Sequence, residues 1–177
     1  MKTLVIHPFD PSTEFLREIY ANINATVMRM LPLEHSELRV LMRSHDRIIG
    51  LGHGSPYGLF NVSNHRYSYA IGVDDFDLLT GKDNIYIWCN ADQYVRRGNL
   101  KGFSSGMFIS EVSEARMFGF KAPKTQIEVS NYAFAVTLGR NLENGSGAQQ
   151  AGKKTLLEYF DPSDAIINFN NKAMIIL

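Results

Sequence analysis

The chain has 177 residues, of which 45% are hydrophobic and 20% charged, an ordinary composition for a globular protein. Its 18 basic and 18 acidic residues balance, which argues against a dedicated nucleic-acid binder, because such proteins usually carry a basic excess. The single cysteine excludes an internal disulfide framework and a multi-cysteine zinc site. We expect one domain over residues 1–177 and, without a signal peptide or a membrane-length apolar run, a cytoplasmic protein with no membrane partner.

The first part of the chain predicts alternating strands and helices. Short apolar runs, typical of buried strands, lie at 3–7, 25–30 and 47–52. Asp10-Pro11 marks the start of a helix that extends to Ile23, and residues 34–45 are typical of a second helix. This β-α-β-α-β order favours a mainly parallel sheet between two helical layers, a three-layer αβα sandwich.

The pattern changes after residue 52. Segments 58–62 and 66–72 flank Ser63-Asn64-His65 and predict a hairpin at the edge of the sheet. The remaining elements follow in chain order: one helical turn at 74–79, a core strand at 84–89, a polar loop at 90–102, a strand or a helix or both in 103–119, helices at 125–143 and 148–160, and closing strands at 164–169 and 172–177.

Two of the predicted core strands lead to a reactive side chain. Strand 47–52 is followed by His53, and strand 84–89 ends in Cys89. Ligand sites in parallel α/β sheets form at the carboxyl ends of the strands, so neighbouring strands would bring both residues to one rim. An imidazole can accept the proton of a thiol and later donate it to a leaving amine. The backbone N–H groups of Gly54 and Cys89 would then bind an oxyanion.

This arrangement resembles the caspase-like cysteine peptidases (clan CD), which include caspases, gingipains, legumains and separases. The resemblance rests on RIIGLGHGS (47–55), NIYIWCNAD (84–92), the hairpin between them and the β-α-β-α-β lead-in, and so spans about the first 92 residues. It implies a caspase-like fold, a catalytic dyad of His53 and Cys89, and an oxyanion hole formed by the Gly54 and Cys89 N–H groups. It further implies a peptide or protein substrate cleaved through a thioester, with no cofactor and no metal.

Four more residues are candidates for lining a substrate pocket, namely Ser55, Tyr57, Trp88 and Asp92. The alternative is a catalytically silent caspase-like or flavodoxin-like module, whose rim glycines bind a small ligand or a partner protein. A serine hydrolase is disfavoured, although GFSSG (102–106) fits the nucleophile elbow, because no apolar strand precedes it and all five histidines precede Ser104. The substrate and the oligomeric state are left open by the sequence.

Overall fold

The computed structural model describes residues 1–32, 34–62 and 67–177. The strands in these ranges are β1 (Thr3–Ile6), β2 (Thr26–Met28), β3 (Arg47–Leu51), β4 (Gly54–Ser55), β5 (Gly58–Phe60), β6 (Tyr69–Gly72), β7 (Ile85–Ile87), β8 (Phe103–Ser105) and β9 (Met174–Ile176). Six of them form a central sheet in the order β2-β1-β3-β7-β8-β9. All neighbours in it are parallel except β8 and β9, which confirms the predicted mainly parallel sheet.

Helices separate most of these strands along the chain. They are a 3-10 helix at Pro11–Ile19, α1 (His35–Arg43), a 3-10 turn at Val73–Asp75 that leads into α2 (Phe76–Leu79), α3 (Ala91–Arg97), α4 (Val112–Met117), α5 (Lys124–Glu143), α6 (Ala148–Glu158) and α7 (Ala165–Ala173). Within the described ranges, no helix is both long enough and apolar enough to cross a lipid bilayer.

The central sheet buries both of its faces, because successive side chains of a strand point to opposite sides. In β1, Leu4 and Ile6 belong to an apolar cluster that also contains side chains of α1, α2 and α3. Val5, between them, belongs to a second cluster with the Pro11–Ile19 helix, α5 and α6. The protein is therefore a mixed α/β structure whose mainly parallel sheet is covered by helices on both faces.

The predicted hairpin forms, but not at the edge of the central sheet. β5 and β6 pair antiparallel, and β4 joins them in a separate three-stranded sheet. Ile71 of β6 packs directly over Gly50 of β3, where a Cβ atom on the glycine would lie 2.9 Å from the Ile71 Cδ1. The small sheet thus rests on one face of the central sheet. The predicted turn at Ser63-Asn64-His65 lies outside the described residues.

Two other predicted elements are wrong. The predicted polar loop at 90–102 contains α3, because Ala91, Tyr94 and Val95 are buried at helical spacing and their packing overrides the polar composition around them. The predicted strand at 164–169 is the start of α7. The Asp164 carboxylate accepts hydrogen bonds from the backbone N–H groups of Ile166 and Ile167, at 2.8 and 3.0 Å, and so caps a helix there.

The other elements predicted after residue 102 are confirmed by the structure. The open stretch 103–119 is a strand followed by a helix, β8 and α4, and 172–177 contains the predicted closing strand β9. The helices predicted at 125–143 and 148–160 correspond to α5 and α6. In α5 the buried apolar residues Ile127, Phe134, Leu138 and Leu142 recur at a helical period, which is the strongest pattern a single sequence carries.

Candidate active site

The candidate site lies where three neighbouring strands end. β3 is paired in parallel with β1 on one side and β7 on the other, with Leu51 opposite Ile87. The segments that follow β1, β3 and β7 therefore emerge at the same rim. Asp10 follows β1, His53 follows β3 and Cys89 follows β7. The chain goes from β1 to β2 on one side and later to β3 on the other, so this rim is the point where the strand order reverses, a usual location for ligand sites in such sheets.

His53 and Cys89 both line a small cavity at this rim, here called the slot. Its volume is about 20 Å³, room for about one water molecule. The other side chains and backbone segments around it come from Thr13, Phe15, Leu16, Gly52, Ile87, Trp88, Ser105, Phe108 and Ser110. The fold thus brings the predicted pair together at one cavity. Among the described residues, however, no hydrogen bond joins the His53 ring to the Cys89 sulfur.

The His53 ring is held by a hydroxyl group. Its Nε2 lies 2.7 Å from the Ser12 Oγ, and the same Oγ lies 2.6 Å from the Asp10 Oδ1. A hydroxyl has one proton to donate. The Ser12 hydroxyl and backbone N–H both donate to Asp10, and the hydroxyl bond is the main reason that the pKa of this carboxyl lies below its usual value.

These bonds fix the tautomer of His53. With the Ser12 proton directed at an ionised Asp10, the Ser12 oxygen can only accept, so Nε2 of His53 carries the proton that it donates. In the neutral ring the lone pair is then on Nδ1. Nδ1 is therefore the nitrogen that remains for proton transfer, and the His53 side chain is 32% exposed.

A second histidine, His7, lies beside this network and is excluded from solvent. His7 follows β1 and is fully buried, with Nδ1 3.0 Å from the Tyr20 hydroxyl and Nε2 3.2 Å from the Thr13 hydroxyl. Burial lowers its pKa from 6.5 to about 4, and the nearby Arg29 adds to the effect. Since both ring nitrogens are engaged and the ring is neutral, His7 acts as a structural support for the segment that carries Ser12.

The Cys89 thiol is half-buried, and its environment favours the protonated form. Burial is the main cause that raises its pKa, and the Glu114 carboxylate adds to the effect. A hydrogen bond from the Phe108 backbone N–H opposes both. The resting thiol is therefore protonated at neutral pH, and a nucleophilic role requires that a base remove the proton during attack.

Gly54 has a backbone N–H that the β4–β5 ladder does not use. Hydrogen-bonded and non-hydrogen-bonded pairs alternate in an antiparallel ladder. The Phe60 N–H donates to the His53 carbonyl at 2.8 Å. The next pair, Gly54 and Leu59, is therefore a non-hydrogen-bonded one. β4 is an edge strand of its sheet, so the Gly54 N–H is directed away from its partner strand.

Trp88 explains why residue 54 is glycine. A Cβ atom at this position would lie 2.2 Å from the Trp88 Cδ1 and 2.6 Å from the Gly58 carbonyl oxygen. The indole packs against Tyr94, with ring centroids 5.4 Å apart, and its Nε1 donates to the Ser55 carbonyl at 3.1 Å. The indole thus supports β4 from below, within the apolar cluster that contains Leu59 and Ile71.

Of the four candidate pocket residues, Trp88 borders the slot and the other three do not. Ser55 is occupied in β4, where its Oγ accepts from the Tyr57 N–H at 3.2 Å. Tyr57 is half-exposed, and the Arg97 guanidinium lies 4.3 Å from its ring centroid. Asp92 lies in the first turn of α3, with its Oδ1 close to Gly106. A role in substrate binding stays a prediction for all four residues.

Sequence reasoning missed the role of Ser12. Asp10 was predicted as the start of a helix, and it does cap the Pro11–Ile19 helix. The Ser12–His53 contact, however, joins residues 41 positions apart, and no local pattern encodes such a distance. The only available signal was indirect: Asp10 and Ser12 follow a strand that the β-α-β order places next to β3.

Comparisons with known proteins assign no family to this chain. No protein-family model matches it, and no curated protein is significantly similar to it.

Proposed function

We propose that this protein is a cysteine peptidase of the caspase-like kind, with His53 and Cys89 as its catalytic dyad. The observation that supports the proposal most directly is the shared slot at the carboxyl ends of the adjacent strands β3 and β7. The only thiol of the chain and an imidazole whose Nδ1 has no hydrogen-bond partner among the described residues line the same cavity. This is the residue pair that acyl transfer through a thioester requires.

The reaction would begin with transfer of the Cys89 proton to Nδ1 of His53 as the sulfur attacks the substrate carbonyl carbon. The carbonyl oxygen becomes an oxyanion, for which the Gly54 and Cys89 N–H groups are the candidate donors; such a donor is typically worth about 3 kcal/mol. The carbon–nitrogen bond then breaks, and the imidazolium donates its proton to the leaving amine. Water, deprotonated by His53, hydrolyses the thioester and restores the thiol.

The raised pKa of Cys89 determines which form of this mechanism fits. Because burial holds the thiol protonated, a preformed thiolate–imidazolium pair is not the resting state. Proton transfer would accompany the attack instead, with His53 as a general base. The fixed Nε2–H of His53 matters here, since it keeps Nδ1 free to accept a proton.

Alkylation of Cys89 by iodoacetamide at pH 7 tests the dyad. We expect the intact chain to react at least about tenfold faster than the His53→Ala variant, because general-base assistance is worth about a hundredfold or more when the geometry is good. His45→Ala is the matched control, since His45 contacts Leu41 and Thr26, far from the slot. Equal rates in the intact chain and His53→Ala would contradict the dyad.

Digestion of a mixed peptide library, followed by mass spectrometry, tests the peptidase activity itself. We expect new peptide termini with the intact chain and none with Cys89→Ala or His53→Ala. Termini that persist in Cys89→Ala would assign the cleavage to a contaminant and count against the proposal.

The second candidate function is a non-catalytic binding module with the same architecture. The raised pKa of the Cys89 thiol and the missing His53–Cys89 hydrogen bond among the described residues favour it. A thiol that reacts slowly at pH 7, at a rate indifferent to His53, would select this function over the peptidase.

A further inference from the structure

A groove of about 790 Å³ adjoins the slot. Its walls are the start of the Pro11–Ile19 helix, residues 110–113 and the N-terminal half of α5. Phe15 and Ser110 line both the groove and the slot. Small-molecule and substrate sites usually have volumes of about 300 to 1,000 Å³. The slot holds about one water, so it is too small for a substrate. The bulk of a substrate that reaches Cys89 would therefore lie in the groove.

Most of the exposed surface that lines the groove is apolar. Phe15, Val112 and Ile127 line it, and the exposed ring of Tyr132 stands at its side. Apolar surface of this kind favours an apolar ligand by about 25 cal/mol for each Å² removed from water. The groove is therefore suited to a large hydrophobic group.

The charges at the rim disfavour an acidic ligand. Lys124 and Glu128 lie one helical turn apart on α5 and pair with each other at 3.4 Å. Glu111, on the opposite wall, is exposed and leaves the rim with a net negative charge. A carboxylate entering the groove would meet this charge without a free cation among the described lining residues.

A buried acceptor lies in the same wall. Asn131 is 5% exposed, and its Nδ2 donates to the Ser110 carbonyl at 2.9 Å. Its Oδ1 is buried and has no hydrogen-bond partner among the described residues. Leaving a buried acceptor unpaired is costly, and Asn131 lines the groove, so a small movement of its side chain would let an N–H group of a ligand satisfy it. Peptides supply such N–H groups at every residue except proline.

We propose that this groove binds a peptide segment that presents a large apolar side chain, aromatic or branched aliphatic, next to the bond that Cys89 would cleave. The inference deepens the proposed function, on which it rests, by naming the substrate class. The apolar side chain would occupy the surface formed by Phe15, Val112 and Ile127, and a peptide N–H would face Asn131.

Binding is tested in the full chain with Cys89→Ser, so that no turnover interferes. The probes are N-acetyl-phenylalanine amide and N-acetyl-aspartate amide, titrated to millimolar concentration against the ¹⁵N-labelled chain by NMR. We expect saturating shifts of the backbone amides at 110–113 and 124–132 with the phenylalanine probe, and binding at least about tenfold weaker with the aspartate probe. Absence of these shifts, or equal affinity for both probes, would overturn the inference.

Glu128→Trp is the blocking variant, since an indole at this exposed rim position would fill the groove. We expect it to lower the affinity for the phenylalanine probe at least about tenfold. Val129→Trp is the matched control, because Val129 is the next residue on the same helix, is 67% exposed and does not line the groove. Urea unfolding confirms that both variants fold. Unchanged binding in Glu128→Trp would contradict the inference.

These outcomes are separable from those of the peptidase tests. If the probe binds the groove but Cys89 is alkylated no faster in the intact chain than in His53→Ala, the peptide-binding groove is retained and the peptidase is ruled out. Cleavage that depends on His53 and Cys89, without groove binding, would retain the peptidase and remove the substrate class inferred here.

Discussion

The tripeptide Asp-Pro-Ser occurs twice in the chain, at 10–12 and at 161–163, and folds in the same way both times. In each copy the serine N–H donates to the aspartate Oδ1 at 2.9 Å and the serine hydroxyl donates to the same atom at 2.6 Å. In each copy these bonds lower the pKa of the aspartate below its usual value. The local sequence therefore specifies the local turn completely.

The two copies differ in what surrounds them. Ser12 is 2.7 Å from the His53 ring, and the residue after it, Thr13, is buried against His7. Ser163 is exposed, and among the described residues its only side-chain hydrogen bond is to Asp161. The same turn is thus a surface feature in one place and part of a candidate active site in the other. Tertiary neighbours, not the tripeptide, make the difference.

The largest expected effect comes from His7, the buried support that only the first copy has. We expect His7→Ala to lower the free energy of unfolding by about 2 to 4 kcal/mol, since it opens a cavity and removes the hydrogen bonds of the buried ring to the Tyr20 and Thr13 hydroxyls. His53→Ala removes one hydrogen bond from a partly exposed ring and should cost about 1 kcal/mol or less. Urea unfolding at pH 7 measures both, and equal losses would contradict the distinction between the two histidines.

His7 also makes stability depend on pH. In the unfolded chain it takes up a proton near pH 6.5, whereas burial lowers the native pKa to about 4. The unfolded state therefore binds more protons between these values, so the stabilisation present above pH 6.5 is lost as the pH falls to 4. The loss amounts to about 3 kcal/mol, because each pKa unit corresponds to about 1.4 kcal/mol. In His7→Gln, the slope of unfolding free energy against pH should be shallower across this window; an unchanged slope would refute the assignment.

Ser12→Ala and Ser163→Ala form the next test, because they delete the same hydroxyl from the same turn. We expect each to change the free energy of unfolding by about 1 kcal/mol or less. Only Ser12→Ala should slow the alkylation of Cys89 at pH 7, by about tenfold, because Nε2 of His53 loses its acceptor and the ring its orientation. Equal alkylation rates in the two variants would show that Ser12 does not position His53.

The smallest expected effect concerns the charge next to the thiol. The Glu114 carboxylate contributes to the raised pKa of Cys89, so Glu114→Gln should lower that pKa and move the midpoint of alkylation to lower pH. Glu111→Gln is the control, since Glu111 is an exposed carboxylate close in sequence. A midpoint that moves equally in both variants, or not at all, would remove Glu114 as a cause.

The mainly parallel sheet was predictable from the β-α-β-α-β order, and so was the helix start at Asp10. The adjacency of β3 and β7 was only assumed in the dyad hypothesis, and the strand pairing confirms it. The helix α3 was missed because its apolar stripe has only three members, Ala91, Tyr94 and Val95, within a polar stretch. The start of α7 was misread because Ile166 and Ile167 favour strands, while the cap at Asp164 decides for a helix.

The site was predictable only in part. His53, Gly54 and Cys89 are recognisable as candidates because each lies at or just after the end of an apolar run that predicts a strand. The hydroxyl at Ser12, the N–H of Phe108 and the groove beside α5 arise from contacts between distant segments. Such contacts depend on how helices pack over the sheet, which the pattern of one sequence does not specify.

Trp88 is the only tryptophan of the chain, and its indole lies beneath Gly54, hydrogen-bonded to the backbone of β4. The tryptophan fluorescence of the protein, excited selectively at a wavelength that its tyrosines do not absorb, therefore comes from one place, directly below the proposed oxyanion donor Gly54. Its emission should report any displacement of that strand when a ligand arrives, without an attached dye. A stopped-flow trace of the unmodified chain would then time the first step of recognition.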